Sequence, residues 1–253
     1  MITDRFRTNV QAGNEVVVLD PELTRAAARG IGYTGSLNMT LNEARDLGAA
    51  MATDYYIVGD AQTLRRSSSA EPMFFESYCS FFIVAARTGA LVSWDRLSFK
   101  NVNKTGAENA LVNELGAKHL RQRILSSVKD FEDNSRQQRD EPIAADAIIE
   151  EAPNDELAAV EKGLRLPRAY QRLRPDYPET AAEADVEATV DILADIGADG
   201  EVSQVRVVKW AGFGLDEASI RIVKQLHFFP AMRNGVRIPM RVLLRYNFRK
   251  PNQ

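Results

Sequence analysis

Cysteine is nearly absent: Cys79 is the single one among 253 residues, so no disulfide can form within the chain. It sits in the apolar run YCSFFIV, the setting of a small buried hydrophobe and not of a reactive thiol. Histidine is almost as scarce. His119 reads as a helix-surface residue and His227 as a strand-edge or packing residue. Neither is joined by a second histidine or a cysteine cluster, and no G-x-S-x-G motif occurs. That pattern excludes the usual zinc ligand sets and a recognisable Ser-His-Asp triad, so no enzyme, no metal and no cofactor is expected. The GIGYTG segment at 30–35 lacks the Lys-Ser/Thr of a phosphate loop and reads as a turn. A cationic excess is missing too. The 32 Lys and Arg are outnumbered by 35 Asp and Glu, which leaves no electrostatic footprint for nucleic acid. No run approaches the ~18 consecutive apolar residues of a membrane-crossing helix. The opening MITDRFRTNV has no apolar core of signal-peptide length. These absences fit a soluble cytoplasmic chain, or a piece whose export or anchoring segment lies outside it.

What is present falls into three stretches: an α/β domain over 1–128, an acidic linker over 129–163, partly helical, and a C-terminal domain over 164–253. In the first, EVVVLD at 15–20 predicts a short strand and PELTRAAAR at 21–29 a helix that starts on proline. Thr40 and Glu43 form a capping-box pattern ahead of a helix over 41–51. A strand is expected at Tyr55–Gly59, a polar loop at 64–72, and then a hairpin of two aromatic-rich strands turning at Thr88-Gly89. Residues 107–128 read as one long helix with an apolar stripe broken at Gly116. The tract 129–163 is acidic, poor in aromatics and too long for a loop inside one domain.

The C-terminal stretch carries the clearest pattern. Val186, Ala188, Val190, Ile192, Ala194 and Ile196 alternate with Glu187, Thr189, Asp191 and Asp195, the period of a half-buried strand. After the turn GADG a second strand covers 201–210. The bend AGFG leads to a helix capped by Asp216, with Leu215, Ala218, Ile222 and Leu226 on one face. Trp210 and Phe213, before that helix, read either as a core plug or as exposed anchors. Past the Asn234-Gly235 turn, Ile238, Met240, Val242, Leu244, Tyr246 and Phe248 alternate with Arg237, Pro239, Arg241, Leu243, Arg245 and Asn247. The expected fold class is α+β: a three-stranded antiparallel sheet packed on a helix, preceded by the separate α/β domain. The arginine row Arg237, Arg241, Arg245 and Arg249 reads as a solvated face that discourages aggregation, or as a rim for an anionic peptide. If the last strand lies at the sheet edge, its free backbone groups offer a place for a peptide to add as a further strand.

Three segments, in order, resemble the C-terminal domain of TonB-type energy transducers. They are LPRAYQRLRPDYPETAAEADVEATVDI, then GADGEVSQVRVVKWAGFGLDEASIRIVKQLHFFPAMRNGV, then IPMRVLLRYNFR, over about residues 165–250. The resemblance implies a periplasmic protein that passes energy from an inner-membrane motor complex to an outer-membrane TonB-dependent transporter. The contact it implies is strand addition: a transporter segment resembling a TonB box pairs with the last strand, here Ile238–Arg249. The partner-binding residues it points to are Asp176, Tyr177, Ile238, Met240, Arg241, Val242, Leu243, Leu244, Arg245, Tyr246 and Asn247. Asp176 stands where well-known members carry a glutamine, an exchange that removes an amide donor and adds negative charge. A membrane helix and a long proline-rich spacer are missing. Anchoring to the inner membrane is therefore expected through a segment outside this chain. Pairing of strands into a homodimer is also compatible with the resemblance. The alternative is a non-transducing assembly or scaffold protein of the cell envelope that uses the same domain. The N-terminal order of helix, strand, strand–RTG–strand weakly resembles the TolB-N-like and CsgG-like domains of cell-envelope proteins.

Overall fold

In the middle of the first half, aromatic and β-branched residues are too dense for a surface loop, and they build a central strand. β3 (Phe74–Ala85) pairs antiparallel with β2 (Tyr55–Arg66) on one side and with β4 (Leu91–Asn101) on the other. Other elements here are α1 (Ile2–Gln11), α2 (Pro21–Gly30), β1 (Met39–Thr40), α3 (Leu41–Met51), α4 (Lys104–Leu115) and α5 (Lys118–Asp140). The structure is a computed structural model and describes residues 2–13, 15–67, 72–140, 149–153, 159–160 and 163–250. The chain divides into two compact units, Met1–Leu37 with Asn42–Glu141, and Asn38–Leu41 with Pro142–Gln253. Helix and strand are mixed in both, an α+β architecture.

In the first unit, Cys79, Phe81 and Ile83 point from β3 onto Leu111, Leu115, Leu120 and Ile124 of α4 and α5. Burial pushes the Cys79 thiol up to about 11, so it stays protonated and behaves as a hydrophobe. ITDRFRTNVQ forms α1, and its Ile2, Phe6 and Val10, spaced four apart, pack on the same core. The long helix expected over 107–128 is two helices broken at Gly116. Asn9 bridges the break, donating its amide to the carbonyls of Leu115 (2.9 Å) and Ala117 (3.0 Å). Its second half runs on to Asp140, into the tract read as linker. The strand expected at EVVVLD does not form: Val17 is 91% exposed and the run pairs with no described strand. β2, by contrast, outruns its expected end. Leu64–Arg66 stay in register with β3, and Arg66 reaches the buried Glu76, which also accepts from Arg96 and Ser98.

The second unit is built on β8 (Ala188–Ile196), with β9 (Val202–Trp210) on one side and β13 (Met240–Phe248) on the other, all antiparallel. Before and between these come the short strands β5 (Glu150–Glu151), β6 (Leu164–Arg165), β7 (Arg168–Ala169), β10 (Phe228–Phe229), β11 (Ala231–Arg233) and β12 (Val236–Ile238), and the helices α6 (Glu179–Glu183) and α7 (Leu215–Val223). Two of the short strands extend the three-stranded sheet, giving the order β1-β9-β8-β13-β5. The helix α7 covers the face bearing Val190, Ile192 and Ala194, with Leu215, Ala218 and Val223 turned inward. Trp210 and Phe213 are buried beneath the preceding loop, so they plug the core and are not anchors for a partner.

That loop needs unusual backbone. Gly212, Phe213 and Gly214 are successive left-handed residues, and Gly214 occupies the N-cap of α7. Asp216 is therefore not the cap expected. Its carboxylate, 7% exposed, turns back to accept from the amides of Ala211 (3.0 Å) and Gly212 (2.7 Å). Burial raises its pKa to about 7 despite those donors. At Gly200 a side chain would meet the Phe228 carbonyl at 2.0 Å, so the β8–β9 turn can press against β10 only with glycine there.

Removing the Asp216 carboxylate strands two buried amides. We expect Asp216→Ala to cost about 1–3 kcal/mol of stability in urea denaturation. A folded pKa above the unfolded 3.8 also sets a sign: the native state binds the extra proton, so this contribution is whole below about pH 4 and is lost as pH rises through 7. The stability advantage of wild type over Asp216→Asn should shrink between pH 5 and pH 8.

Candidate functional site

An antiparallel strand turns the backbone N–H and C=O of alternate residues to opposite sides. In β13 the side taken by each residue can be read directly. The Arg241 carbonyl accepts from the Ala152 amide (2.7 Å), on the side away from β8. Leu243, Arg245 and Asn247 share its parity and point their backbone groups the same way. Met240, Val242, Leu244, Tyr246 and Phe248 direct theirs to β8. Thr189, opposite Asn247, gives an independent check. Its N–H and C=O are taken by the Asn38 side chain (3.0 and 2.8 Å), on the far side of β8 from β13.

β5 pairs parallel with Met240 and Arg241 only. From Val242 to Phe248 no described strand pairs with the outer edge of β13. The backbone groups of Leu243, Arg245 and Asn247 therefore form an open ladder, the arrangement an added strand requires. Leu243, 48% exposed, is the apolar side chain in the middle of that stretch.

The arginine row does not serve as a free cationic rim. Arg241 donates Nε and Nη2 to Asp195 (2.6 and 2.8 Å), and Arg245 does the same to Asp191 (2.7 and 2.8 Å). Each arginine lies directly opposite its aspartate. By the same alternation these are the non-hydrogen-bonded pairs, where side chains of neighbouring strands approach most closely. The aspartates are 5% (Asp191) and 3% (Asp195) exposed and are neutralised by two-pronged contacts. The hydrogen bond and charge of Asp191 raise the pKa of Arg245 further. Of the other two arginines, Arg237 lies in β12 and Arg249 beyond the end of β13.

The remaining expected residues are placed as follows. Ile238 is not part of the last strand: Pro239 interrupts it, and Ile238 pairs with Ala231 in the β11–β12 hairpin. Proline has no N–H to give the ladder, which is why β13 begins at Met240. Met240 and Phe248 are buried, and Val242, Leu244 and Tyr246 are half-buried on the same face. Tyr177 is a brace within the domain. Its hydroxyl donates towards the carbonyls of Val186 (2.5 Å) and Ala181 (3.3 Å), and its ring lies 6.4 Å from that of Phe248. Asp176 is exposed. Sequence reasoning missed Asp191 and Asp195 as partners of the arginines, although both pairs share a spacing of four. It also missed Glu150 and Ala152, which sit in a tract read as linker.

The geometry is that of a small α+β domain whose last long strand pairs with β8 along its inner edge and, among the described residues, with only Glu150 and Glu151 along its outer edge. Residues 174–249 match the family model for the Gram-negative bacterial TonB protein C-terminal, and this part of the chain is a TonB C-terminal domain. Among solved structures, the solution NMR structure of the Pseudomonas aeruginosa TonB CTD is similar over 34% of this chain and 89% of that chain, at 18% sequence identity and a TM-score of 0.30. Comparison with curated proteins returns no match. The TonB family works in the cell envelope as a non-enzymatic transducer, and its C-terminal domain interacts with outer-membrane transporters. Among the described residues no helix is long and apolar enough to cross a membrane.

Replacing Arg241 leaves Asp195 buried without its guanidinium. Arg241→Met should destabilise the protein by roughly 3 kcal/mol, the low end for a broken buried pair. Adding Asp195→Leu should recover most of that loss. Arg245, more exposed, should give a smaller effect in the same urea titrations.

Proposed function

We propose that this protein is a periplasmic, TonB-like energy transducer whose β13 captures an extended segment of an outer-membrane TonB-dependent transporter. The observation that carries this reading is the open outer edge of β13, with the backbone groups of Leu243, Arg245 and Asn247 aligned and unpartnered by any described strand. An incoming segment would bond to these groups and seat an apolar side chain beside Leu243. Selection by charge falls to residues other than Arg241 and Arg245, since both already hold aspartates. Anchoring to the inner membrane and coupling to a motor complex would come through a segment outside this chain.

The mechanism is physical. β13 is zipped to β8 along all nine of its residues. A pull on a captured segment along the strand direction loads many hydrogen bonds together. Each contributes only about 0.5–1.5 kcal/mol net, so capture stays reversible while the domain itself resists brief tension.

Proline at 243 removes one outward donor and leaves the bonds to β8 intact, because the Leu243 N–H faces away from β8. We expect Leu243→Pro to bind a synthetic transporter TonB-box peptide at least tenfold more weakly in isothermal titration. Leu243→Ala should lose far less. Equal affinity for a folded Leu243→Pro variant and wild type would count against capture at this edge.

A further inference from the structure

The first outward-facing residue of the β13 edge, Arg241, is already taken, and the chain itself takes it. Glu150 and Glu151 lie parallel to Met240 and Arg241, and the Ala152 amide donates to the Arg241 carbonyl. Glu150 is also ion-paired with Arg233 of β11, next to the start of β13. Ala152 packs on a small cluster of Ala159, Leu164, Ala231 and Met240. Within Ile149–Pro153, an apolar residue, two carboxylates, an alanine and a proline, the three central residues Glu150, Glu151 and Ala152 thus make backbone, charge and packing contacts of the kind an added strand makes.

We infer that Ile149–Pro153 is an internal ligand of the β13 edge, a latch that a partner strand must displace or shorten before it can use the full length of β13. The inference builds on β13 being the capturing edge. It adds that access to this edge is regulated from within the chain. A partner confined to Leu243–Asn247 has three outward-facing residues to pair with, whereas one that expels the latch gains Arg241 as a fourth. The latch also starts with an advantage over any free peptide. Being tethered, it competes at a high effective concentration, and the apparent affinity of a partner is lowered accordingly.

The test uses the full chain and needs no transporter. Ala152→Pro removes the donor to Arg241, and Glu150→Lys sets like charges against each other at Arg233. In either variant the Arg241 backbone amide, which faces the latch, should exchange hydrogen at least tenfold faster. The amides of Val242 and Leu244, bonded to β8, should keep their protection, which also verifies folding. The second arm adds, in trans, a capped peptide with the sequence of residues 147–156. It should bind both variants at least fivefold more tightly than wild type, with shift changes centred on Arg241. Unchanged exchange at Arg241, equal affinity for variants and wild type, or no binding to any of them overturns the latch. None of these results bears on whether a transporter segment binds Leu243–Asn247, which the Leu243→Pro titration decides separately.

Discussion

β13 is bonded along its whole length on one side and over two residues on the other, and the rest of the C-terminal domain is arranged around that asymmetry. Its inner groups are committed to β8, the central strand of the sheet. Its inner side chains, Met240 and Phe248 above all, are committed to the core. What is left facing outward is backbone, and backbone groups carry little sequence preference of their own. An edge of this kind recognises extended chain in general. Selectivity has to come from the few side chains that flank it.

The aspartates beneath the arginines explain how such an edge persists. Here each of two guanidiniums is fixed by a carboxylate on the adjacent strand. The pairs fasten β13 to β8 on the face that the helix does not cover. The same pairs remove most of the positive potential that would attract an acidic partner, so the charged face works as internal bracing. A latch of acidic sequence is then held at Arg233 in β11, outside the arginine row of β13 itself.

Both ends of the three-stranded sheet are finished by short pieces of the same chain. Met39 and Thr40 pair with Trp210 and Lys209 on β9, and Asn38 fills the backbone groups of Thr189 and the carbonyl of Trp210 where no strand runs. Open strand edges invite association with other chains, and short internal cover is one way of limiting it. On β9 the cover includes a side-chain amide that bridges two strands. On β13 it is a two-residue parallel ladder, and no other described strand pairs with that edge.

Much of this was legible in the sequence because periodicity and turn chemistry are local. The alternation of 186–196, the GADG turn, the amphipathic pattern of α7 and the Asn234-Gly235 turn each depend on neighbours a few residues away, and the elements formed where those signals lay. Local reading failed where a distant partner decided the outcome. EVVVLD has the composition of a strand but pairs with no described strand, and Leu64–Arg66 have the composition of a loop but a partner in β3. Glu150 and Glu151 look like solvated linker until Met240 and Arg241 lie next to them. The arginine spacing was visible from the start. Whether those charges faced solvent, a partner or the aspartates of β8 depended on register, and register is a property of two strands together. The sequence by itself determined that the chain would end in a long alternating strand beside an amphipathic helix. Only the tertiary structure decided which of that strand's backbone groups stay free, because that depends on which strands come to lie on either side.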